Sequence, residues 1–223
     1  LVPGNQMYLP MLGIDLREHF RQLRQRSPTL SPATQVVVLH LLLDGKPGVY
    51  TPAELSQRLG YTRMTMTRAF NELEAEGLVD ISMQGRQRCL TAKSDRRELW
   101  ERALPLLRSP VKQRQHVRIA AEKRIGLMAG LSALAHYSML AAPSIPTVAM
   151  PAGQWRTHQR RAEFPKAEAD DPESHEVEIW SYDPVLFSQG QIVDRLSLYL
   201  SLRGHGDERI EAALEETMEA VSW

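Results

Sequence analysis

Residues 51–90 place the tightest limits on what this chain can fold into, because two helix patterns and two strand patterns follow one another closely there. Thr51 and Glu54 form a capping box, in which the threonine hydroxyl accepts a hydrogen bond from a free backbone N–H. Leu55 and Leu59 follow one turn apart on a single face. A short helix with one buried face is therefore predicted to begin just after Thr51.

A second helix is predicted over residues 63–76. Thr62 can cap its start, and Gly77 ends it as a glycine just past a helix does. Its apolar positions recur with helical spacing and must be buried: Met66, Ala69, Phe70 and Leu73. The opposite face is predicted to be exposed and consists of Arg63, Met64, Thr65, Thr67, Arg68 and Asn71.

Two short strands are predicted next, over residues 78–83 and 86–90, with Gln84 and Gly85 as the turn between them. The apolar residues of the first strand alternate and predict one buried face: Val79, Ile81 and Met83. Two cations are predicted on the other face, beside the turn: Arg86 and Arg88.

Two helices joined by a tight turn and followed by a hairpin give the order of a winged helix-turn-helix, a DNA-reading module. In the major groove arginine reads guanine, asparagine reads adenine, and apolar groups contact the thymine methyl. Cations on the hairpin suit phosphates. Some winged helices bind proteins instead, but exposed arginines favour DNA. The predicted DNA-binding residues are Thr51, Thr62, Arg63, Met64, Thr65, Thr67, Arg68, Asn71, Gln84, Arg86 and Arg88.

This stretch resembles the winged helix of MarR-type regulators. Thr65-Met66-Thr67-Arg68 is similar to the recognition helix of that family, and Leu73-Glu74-Ala75-Glu76-Gly77-Leu78-Val79 is similar to its exit into the wing. The likeness covers residues 31–91 and implies a winged-helix fold that binds DNA.

The flanking residues carry further helix patterns. Residues 13–25 have an apolar stripe that predicts an amphipathic helix. Ser31-Pro32 starts a nearly all-apolar helix that is predicted to be buried on most sides. His40 within it is predicted to be a core or rim histidine rather than a ligand. Another capped helix is predicted over residues 94–107, with Pro105 bending it or ending it early.

The composition changes after Ser109. The patterns there predict strands over 111–119, 147–150 and 175–182, a helix from 126 to 140, a loop over 163–174, and helices over 192–202 and 207–221. The predicted fold class is α+β, a winged helix-turn-helix domain followed by a smaller mixed α/β domain. The predicted domains are an N-terminal amphipathic segment (1–30), the DNA-binding domain (31–108) and the C-terminal domain (109–223).

Residues 130–150 and 182–216 resemble the segment that follows the winged helix in AbiEi-like regulators, which are the antitoxin and repressor halves of type IV toxin–antitoxin pairs. That resemblance implies a winged helix that binds repeats in its own promoter. It also implies a C-terminal domain that neutralises a toxin.

Charge is distributed unevenly along the chain. Residues 1–161 hold 23 Lys and Arg against 12 Asp and Glu, a net charge of +11, whereas residues 162–223 hold 4 against 15, a net charge of −11. A basic part suits a polyanion such as DNA. An acidic end can be solvated, can pair with the basic part, or can bind a protein.

No P-loop, GxGxxG, GxSxG or HExxH motif is present, so neither an enzyme nor a cofactor is predicted. Six acidic residues either form a solvated loop, the favoured interpretation, or hold a divalent metal in a nuclease that uses Lys166: Glu163, Asp170, Asp171, Glu173, Glu176 and Glu178. Cys89 is the single cysteine, which fits a cytoplasmic protein.

These patterns together predict a sequence-specific DNA-binding transcriptional regulator, a repressor that binds double-stranded DNA as a homodimer. Residues 126–140 and the terminal helices are the candidate dimer surfaces. Four aromatic residues either line an effector pocket or belong to the core: Tyr137, Trp155, Trp180 and Tyr182. The alternative is an antitoxin-like or adaptor protein whose C-terminal domain binds a protein partner.

Overall fold

The computed structural model describes residues 29–44, 48–119, 125–168, 171 and 173–223, together with the backbone of residues 6–9 and 14–17. Strands β1 (Gln6–Leu9) and β2 (Ile14–Arg17) form an antiparallel pair. The helix predicted over residues 13–25 is therefore wrong at Ile14–Arg17, and its remaining residues lie outside the described ones. Apolar and polar residues alternate in β2, a period that suits a strand.

The next six elements follow the order of a winged helix. They are α1 (Pro32–Leu43), α2 (Pro52–Leu59), α3 (Arg63–Ala75), β3 (Val79–Gln84), β4 (Gln87–Ala92) and α4 (Arg96–Ala103). Tyr50 forms an isolated antiparallel bridge to the β3–β4 hairpin. Its N–H donates to the carbonyl of Leu90 at 2.9 Å, and the N–H of Leu90 donates back at 2.8 Å. The sequence patterns do not indicate this pairing.

The helices of this part pack as their apolar patterns predict. Helix α1 is buried on most of its surface, and both α2 and α3 are amphipathic. The four predicted anchors of α3 are all buried: Met66, Ala69, Phe70 and Leu73. Helix α4 ends two residues before Pro105, because the proline ring cannot continue it. Its cap is Asp95, whose side chain accepts from the N–H of Glu98 at 2.9 Å.

A four-stranded sheet follows, with helices on both faces. Its elements are β5 (Val111–Arg118), β6 (Leu127–Met128), α5 (Gly130–Tyr137), β7 (Thr147–Pro151), α6 (Ala152–Arg160), β8 (Ser174–Trp180), α7 (Arg195–Leu202) and α8 (Glu208–Glu219). The strand order is β5-β8-β7-β6. Strands β7 and β8 are parallel and are joined through α6, while the other two pairs are antiparallel. The α+β fold class is thus confirmed.

Several details of this half differ from the sequence prediction. The helix predicted from Gly126 is wrong at its start, since Leu127–Met128 pairs with β7 and α5 begins only at Gly130. Gly126 has a φ of +61° and lies so close to β7 that a Cβ would approach the carbonyl oxygen of Ala149 to 2.4 Å. Helix α6 was not predicted at all.

One hydrophobic core runs from the winged helix into the second half. The same cluster of buried side chains includes Phe70 of α3, Leu99 of α4 and Leu198 of α7. The Arg203 guanidinium donates to the carbonyl of Leu104 at 3.0 Å, which fixes the end of α7 to the end of α4. A smaller core lies beneath α6, around Trp155. In the described ranges, no helix combines the length and the apolar character that crossing a membrane requires.

Candidate nucleic-acid interface

Threonine caps fix the starts of α2 and α3. The Thr51 hydroxyl accepts from the N–H of Glu54 at 3.2 Å, and the Thr62 hydroxyl accepts from the N–H of Thr65 at 3.2 Å. The Thr62 and Thr65 hydroxyls also lie 2.9 Å apart. Thr51 is half-buried whereas Thr62 is exposed, so both hydroxyls hold helix ends and only the second lies on the open surface.

The C-terminal end of α3 is closed by a Schellman motif. The N–H of Leu78 donates to the carbonyl of Leu73, and the N–H of Gly77 donates to that of Glu74, both at 3.0 Å. Gly77 has a φ of +68°, which is why a glycine belongs there. This turn sends the chain directly into β3 and so fixes the hairpin relative to α3.

The face of α3 opposite the core is open to solvent. Arg63, Met64, Arg68 and Asn71 are exposed, and Met64 has 65% of its surface accessible. Met64 is the large apolar side chain on this otherwise polar face. Thr65 and Thr67 are half-buried on the flank of the same face, where the Thr67 hydroxyl donates to the carbonyl of Arg63 at 3.0 Å.

Two arginines of this face have room to contact a ligand. The side chain of Arg68 extends back along α3 by one turn, where its guanidinium lies 3.7 Å from the sulfur of Met64. Within the described ranges, neither Arg63 nor Arg68 forms an ion pair with a carboxylate. The exposed face of α3 therefore offers two cations and an exposed thioether.

The tip of the hairpin is also exposed and cationic. Gln84 pairs with Gln87 at the end of the two strands, and Gly85 turns the chain with a φ of +62°. Gln84 and Arg86 are exposed. Met83 is 61% accessible, so the prediction that it belongs to a buried face is wrong. The hairpin extends beyond the core at this point, and only its base is covered.

Arg88 lies on the face opposite to the predicted one. Residues that pair directly across an antiparallel hairpin share a face. Arg88 pairs with Met83, and Leu90 pairs with Ile81. Because Arg88 and Leu90 are two residues apart, both pairs lie on the same face of the hairpin. Arg88 therefore points toward α3, where its guanidinium donates to Oδ1 of Asn71 and lies 3.1 Å from the carboxylate of Glu74. The alternation within one strand could not reveal which face meets α3.

A carboxylate that the sequence reasoning missed holds α1 against α3. Glu72 accepts from the N–H of Ser31 at 2.9 Å and from its hydroxyl at 2.8 Å, and it also accepts from the hydroxyl of Thr34. These donors lie at the N-terminus of α1, where backbone N–H groups need partners and negative charge is stabilised. The only sequence signal is an acidic residue beside the apolar stripe of α3.

The acidic cluster considered as a metal site does not converge on one point. Glu163 lies 2.9 Å from His158, Asp171 lies 2.7 Å from Arg118, and Glu178 lies 3.0 Å from Arg114. Burial raises the pKa of the Glu178 carboxyl, while its hydrogen bond from Trp180 and the nearby Arg114 guanidinium oppose that rise. Among the described residues, no three His, Cys, Asp or Glu side chains lie together as metal ligands would, and Asp170 is outside the described ones.

The four aromatic residues belong to the packing of the second half. The rings of Trp180 and Tyr182 meet edge to face, with centroids 5.7 Å apart, and both are buried. Trp155 is the buried residue of α6 and packs into the smaller core. Tyr137 is half-buried, and its hydroxyl donates to the carbonyl of Val193 at 3.0 Å. The core interpretation therefore describes these side chains better than an effector pocket does.

Comparisons with known proteins found a match for residues 29–88. No curated protein and no solved structure matches the chain. The likeness of residues 130–150 and 182–216 to AbiEi-like regulators is thus not supported by these comparisons. Residues 29–88, which include α1, α2, α3, β3 and the tip of the hairpin, match the model of the MarR family, and this match suggests a DNA-binding transcriptional regulator.

Proposed function

We propose that this protein is a sequence-specific DNA-binding transcriptional regulator that acts as a repressor. In this proposal α3 is the recognition helix and lies in the major groove, while the tip of the β3–β4 hairpin contacts the DNA backbone as a short wing. The single observation that carries the proposal is the exposed face of α3, where Arg63, Met64 and Arg68 point away from the core.

The chemistry of that face supports direct readout of base edges. An arginine side chain can donate two hydrogen bonds to O6 and N7 of guanine, and a methionine side chain can contact the thymine methyl. Because Arg63 and Arg68 have no acidic partner in the described ranges, binding DNA would not first require breaking an ion pair. The predicted contacts are Arg63, Met64, Thr65, Thr67 and Arg68 on α3, with Thr62 at its start.

The remaining predicted contacts differ in role. Gln84 and Arg86 at the exposed tip would meet phosphates, which fix register without reading sequence. Thr51 caps α2, whose N-terminal N–H groups suit a phosphate. Arg88 donates a hydrogen bond to Asn71, so these two residues would contribute to DNA binding by fixing the position of the wing.

A homodimer fits this function, because MarR-family regulators typically bind DNA as dimers. Two copies of α3 would then read two half-sites about one helical turn apart on a palindromic operator. The antitoxin-like alternative is a separate prediction about the C-terminal half. It expects one stoichiometric protein partner to co-purify with the chain from its native source.

In vitro selection from a pool of random duplex DNA tests the proposed function. The full chain is expected to enrich one motif, and an inverted repeat within it is expected for a dimer. A reporter promoter that carries the motif should be repressed when the protein is expressed. If the bound pool shows the same sequences as a pool carried through without protein, sequence-specific recognition is wrong.

A further inference from the structure

An open groove of about 550 Å³ lies where the winged helix meets the C-terminal helices. Helix α4 forms one wall, α8 forms the other, and Tyr199 of α7 lies between them. The volume is within the range of pockets that hold small organic molecules, roughly 300–1,000 Å³. Because it joins elements from both halves of the chain, a molecule bound there would contact both.

Three aromatic rings are clustered in this groove. The ring of Trp100 meets that of Tyr199 edge to face, with centroids 5.8 Å apart and an angle of 71° between the planes. The rings of Trp100 and Trp223 have centroids 5.9 Å apart. Trp100 is almost fully buried and supports the other two, whereas Trp223 is 37% accessible. Aromatic faces carry a partial negative charge that attracts organic cations.

The charged residues of the groove are mostly acidic. Among the described residues that line it, Glu101, Glu215 and Glu219 are acidic and Arg97 alone is a cation. Arg97 lies 3.4 Å from Glu101, so those two charges balance each other. Glu215 and Glu219 are exposed on α8, and neither forms an ion pair within the part of the chain that the structure describes. Two uncompensated carboxylates therefore stand beside the aromatic cluster.

We propose that this groove binds a lipophilic organic cation, of the quaternary ammonium or phosphonium type. The rings of Tyr199 and Trp223 bind the apolar surface and the delocalised positive charge, and the two carboxylates supply complementary charge. A lipophilic anion of the same shape is repelled by those carboxylates. A neutral aromatic molecule gains nothing from them, so charge is the feature that selects the ligand.

The groove is joined to the recognition helix through α4. Arg102 of α4 donates to the carbonyl of Gly77 at 2.6 Å, and Gly77 is the residue that closes the end of α3. A cation held between α4 and α8 is therefore expected to change the affinity of α3 for its operator. This second step rests on the proposed DNA binding, whereas occupation of the groove does not.

Calorimetric titration of the full chain with tetraphenylphosphonium tests the site in the absence of DNA. Tetraphenylborate, an anion of nearly the same shape, is the matched ligand control. The double variant Glu215→Gln/Glu219→Gln removes the two groove carboxylates. The double variant Glu211→Gln/Glu216→Gln removes the same charge from exposed positions of α8 outside the groove. Glutamine keeps the helix propensity of these sites, so both variants should fold.

The phosphonium ion is expected to bind the wild-type chain and the borate ion is not. The groove double variant should bind the cation about 2- to 10-fold more weakly, the range expected for two exposed charge contacts. Trp223→Ala should bind the cation about 2- to 5-fold more weakly than the wild-type chain, the loss expected for one exposed cation–π contact. The proposed site would be overturned if the cation did not bind or if both ions bound equally well. It would also be overturned if the two double variants lost equal affinity for the cation, or if Trp223→Ala kept the wild-type affinity.

The effect on DNA is then measured separately, by titrating the selected operator with and without saturating tetraphenylphosphonium. A shift in operator affinity of at least about two-fold is expected in the wild-type chain, and the groove double variant should not show it. An unshifted affinity in a chain that demonstrably binds the cation would refute the regulatory step. A chain that binds the cation and no DNA would refute the proposed function while leaving the cation site intact.

Discussion

The guanidinium group of Arg88 on the second wing strand donates a hydrogen bond to Oδ1 of Asn71 on α3. The same guanidinium lies 3.1 Å from the carboxylate of Glu74, one helical turn further along. The wing is thus held to the helix by side chains as well as by the turn at Gly77. Bidentate reading of adenine uses both the oxygen and the nitrogen of an asparagine amide. Such a contact by Asn71 would therefore compete with Arg88 for its oxygen.

This contact predicts a measurable coupling between the two side chains. Arg88→Ala should lower the free energy of unfolding by about 0.5–1 kcal/mol, since the contact is partly exposed. Urea unfolding of Arg88→Ala, Asn71→Ala and the double variant should give a coupling energy of at least about 0.5 kcal/mol. Arg86→Ala, at the exposed tip, is the control and should change stability by less than about 0.5 kcal/mol. Strictly additive effects of the two substitutions would contradict the contact.

Glu72 is predicted to contribute more to stability than the other acidic residues of α3. Glu72→Ala leaves the N–H of Ser31 and two hydroxyl groups without their acceptor, which should cost about 1–3 kcal/mol. Glu76→Ala, at the exposed end of the same helix, should cost less than about 0.5 kcal/mol. Chemical denaturation measures both. Similar losses in the two variants would show that the carboxylate of Glu72 does not anchor α1.

His40 is predicted to make the winged helix sensitive to acid. It is buried in α1 against Tyr50, and neither ring nitrogen has a hydrogen-bond partner in the described part of the chain. Burial, followed by the nearby positive charge of Arg58, lowers the pKa of His40 below 6.5. The unfolded chain then binds a proton more readily than the folded one, so stability is full above pH 6.5 and is lost as pH falls below it.

The measurement is the free energy of unfolding between pH 5 and 8, in wild type and in His40→Leu. One such histidine can lower the free energy of unfolding by at most about 1.4 kcal/mol for each pH unit of acidification. His40→Leu should abolish this part of the pH dependence. His205→Gln, which changes an exposed histidine, should keep the wild-type profile. A profile that His40→Leu leaves unchanged would rule out His40 as the cause.

Asp194 is predicted to act in the opposite direction. It is buried at the start of α7, where its side chain accepts from the N–H of Ser197 at 2.8 Å. Burial raises its pKa from 3.8 to about 6, against the hydrogen bonds from Ser197. The folded chain therefore keeps the proton more readily, and the stability that this group contributes is full below pH 3.8 and lost as pH rises through about 6.

Asp194→Asn keeps an acceptor for the Ser197 N–H but cannot ionise. At pH 7 it should be more stable than wild type by up to about 3 kcal/mol, the equivalent of the raised pKa, and the gain should disappear near pH 4. Asp207→Asn, which changes the exposed cap of α8, should give no comparable gain. Thermal unfolding at the two pH values provides the test, and a destabilised Asp194→Asn at pH 7 would be the contrary result.

The sequence predicts the winged helix well because its signals are local. The capping threonines, the spacing of Met66, Ala69, Phe70 and Leu73, and the glycine at position 77 act within one turn of the chain, and α3 begins at Arg63 as predicted. The side-chain caps of α7 and α8 are likewise local, although α7 starts three residues later than the pattern suggests.

The features that were missed depend on contacts between distant residues. Tyr50 forms its bridge only because Leu90 is available to pair with it, and Leu127–Met128 is a strand because β7 lies beside it. The face on which Arg88 lies depends on how the hairpin is placed against α3. The acceptor role of Glu72 requires α1 to lie across α3. Patterns within one segment carry no information on such pairings.

The most direct test of the central claim compares the exposed arginines of α3 with those elsewhere. Fluorescence anisotropy with the selected duplex should show that Arg63→Ala or Arg68→Ala lowers operator affinity by about 1–3 kcal/mol, with a smaller effect on a scrambled duplex. Arg86→Ala should weaken both duplexes alike and reduce the salt dependence. Arg97→Ala, on α4, should change neither affinity. If Arg63→Ala and Arg68→Ala both bind the operator as wild type does, α3 is not the recognition helix.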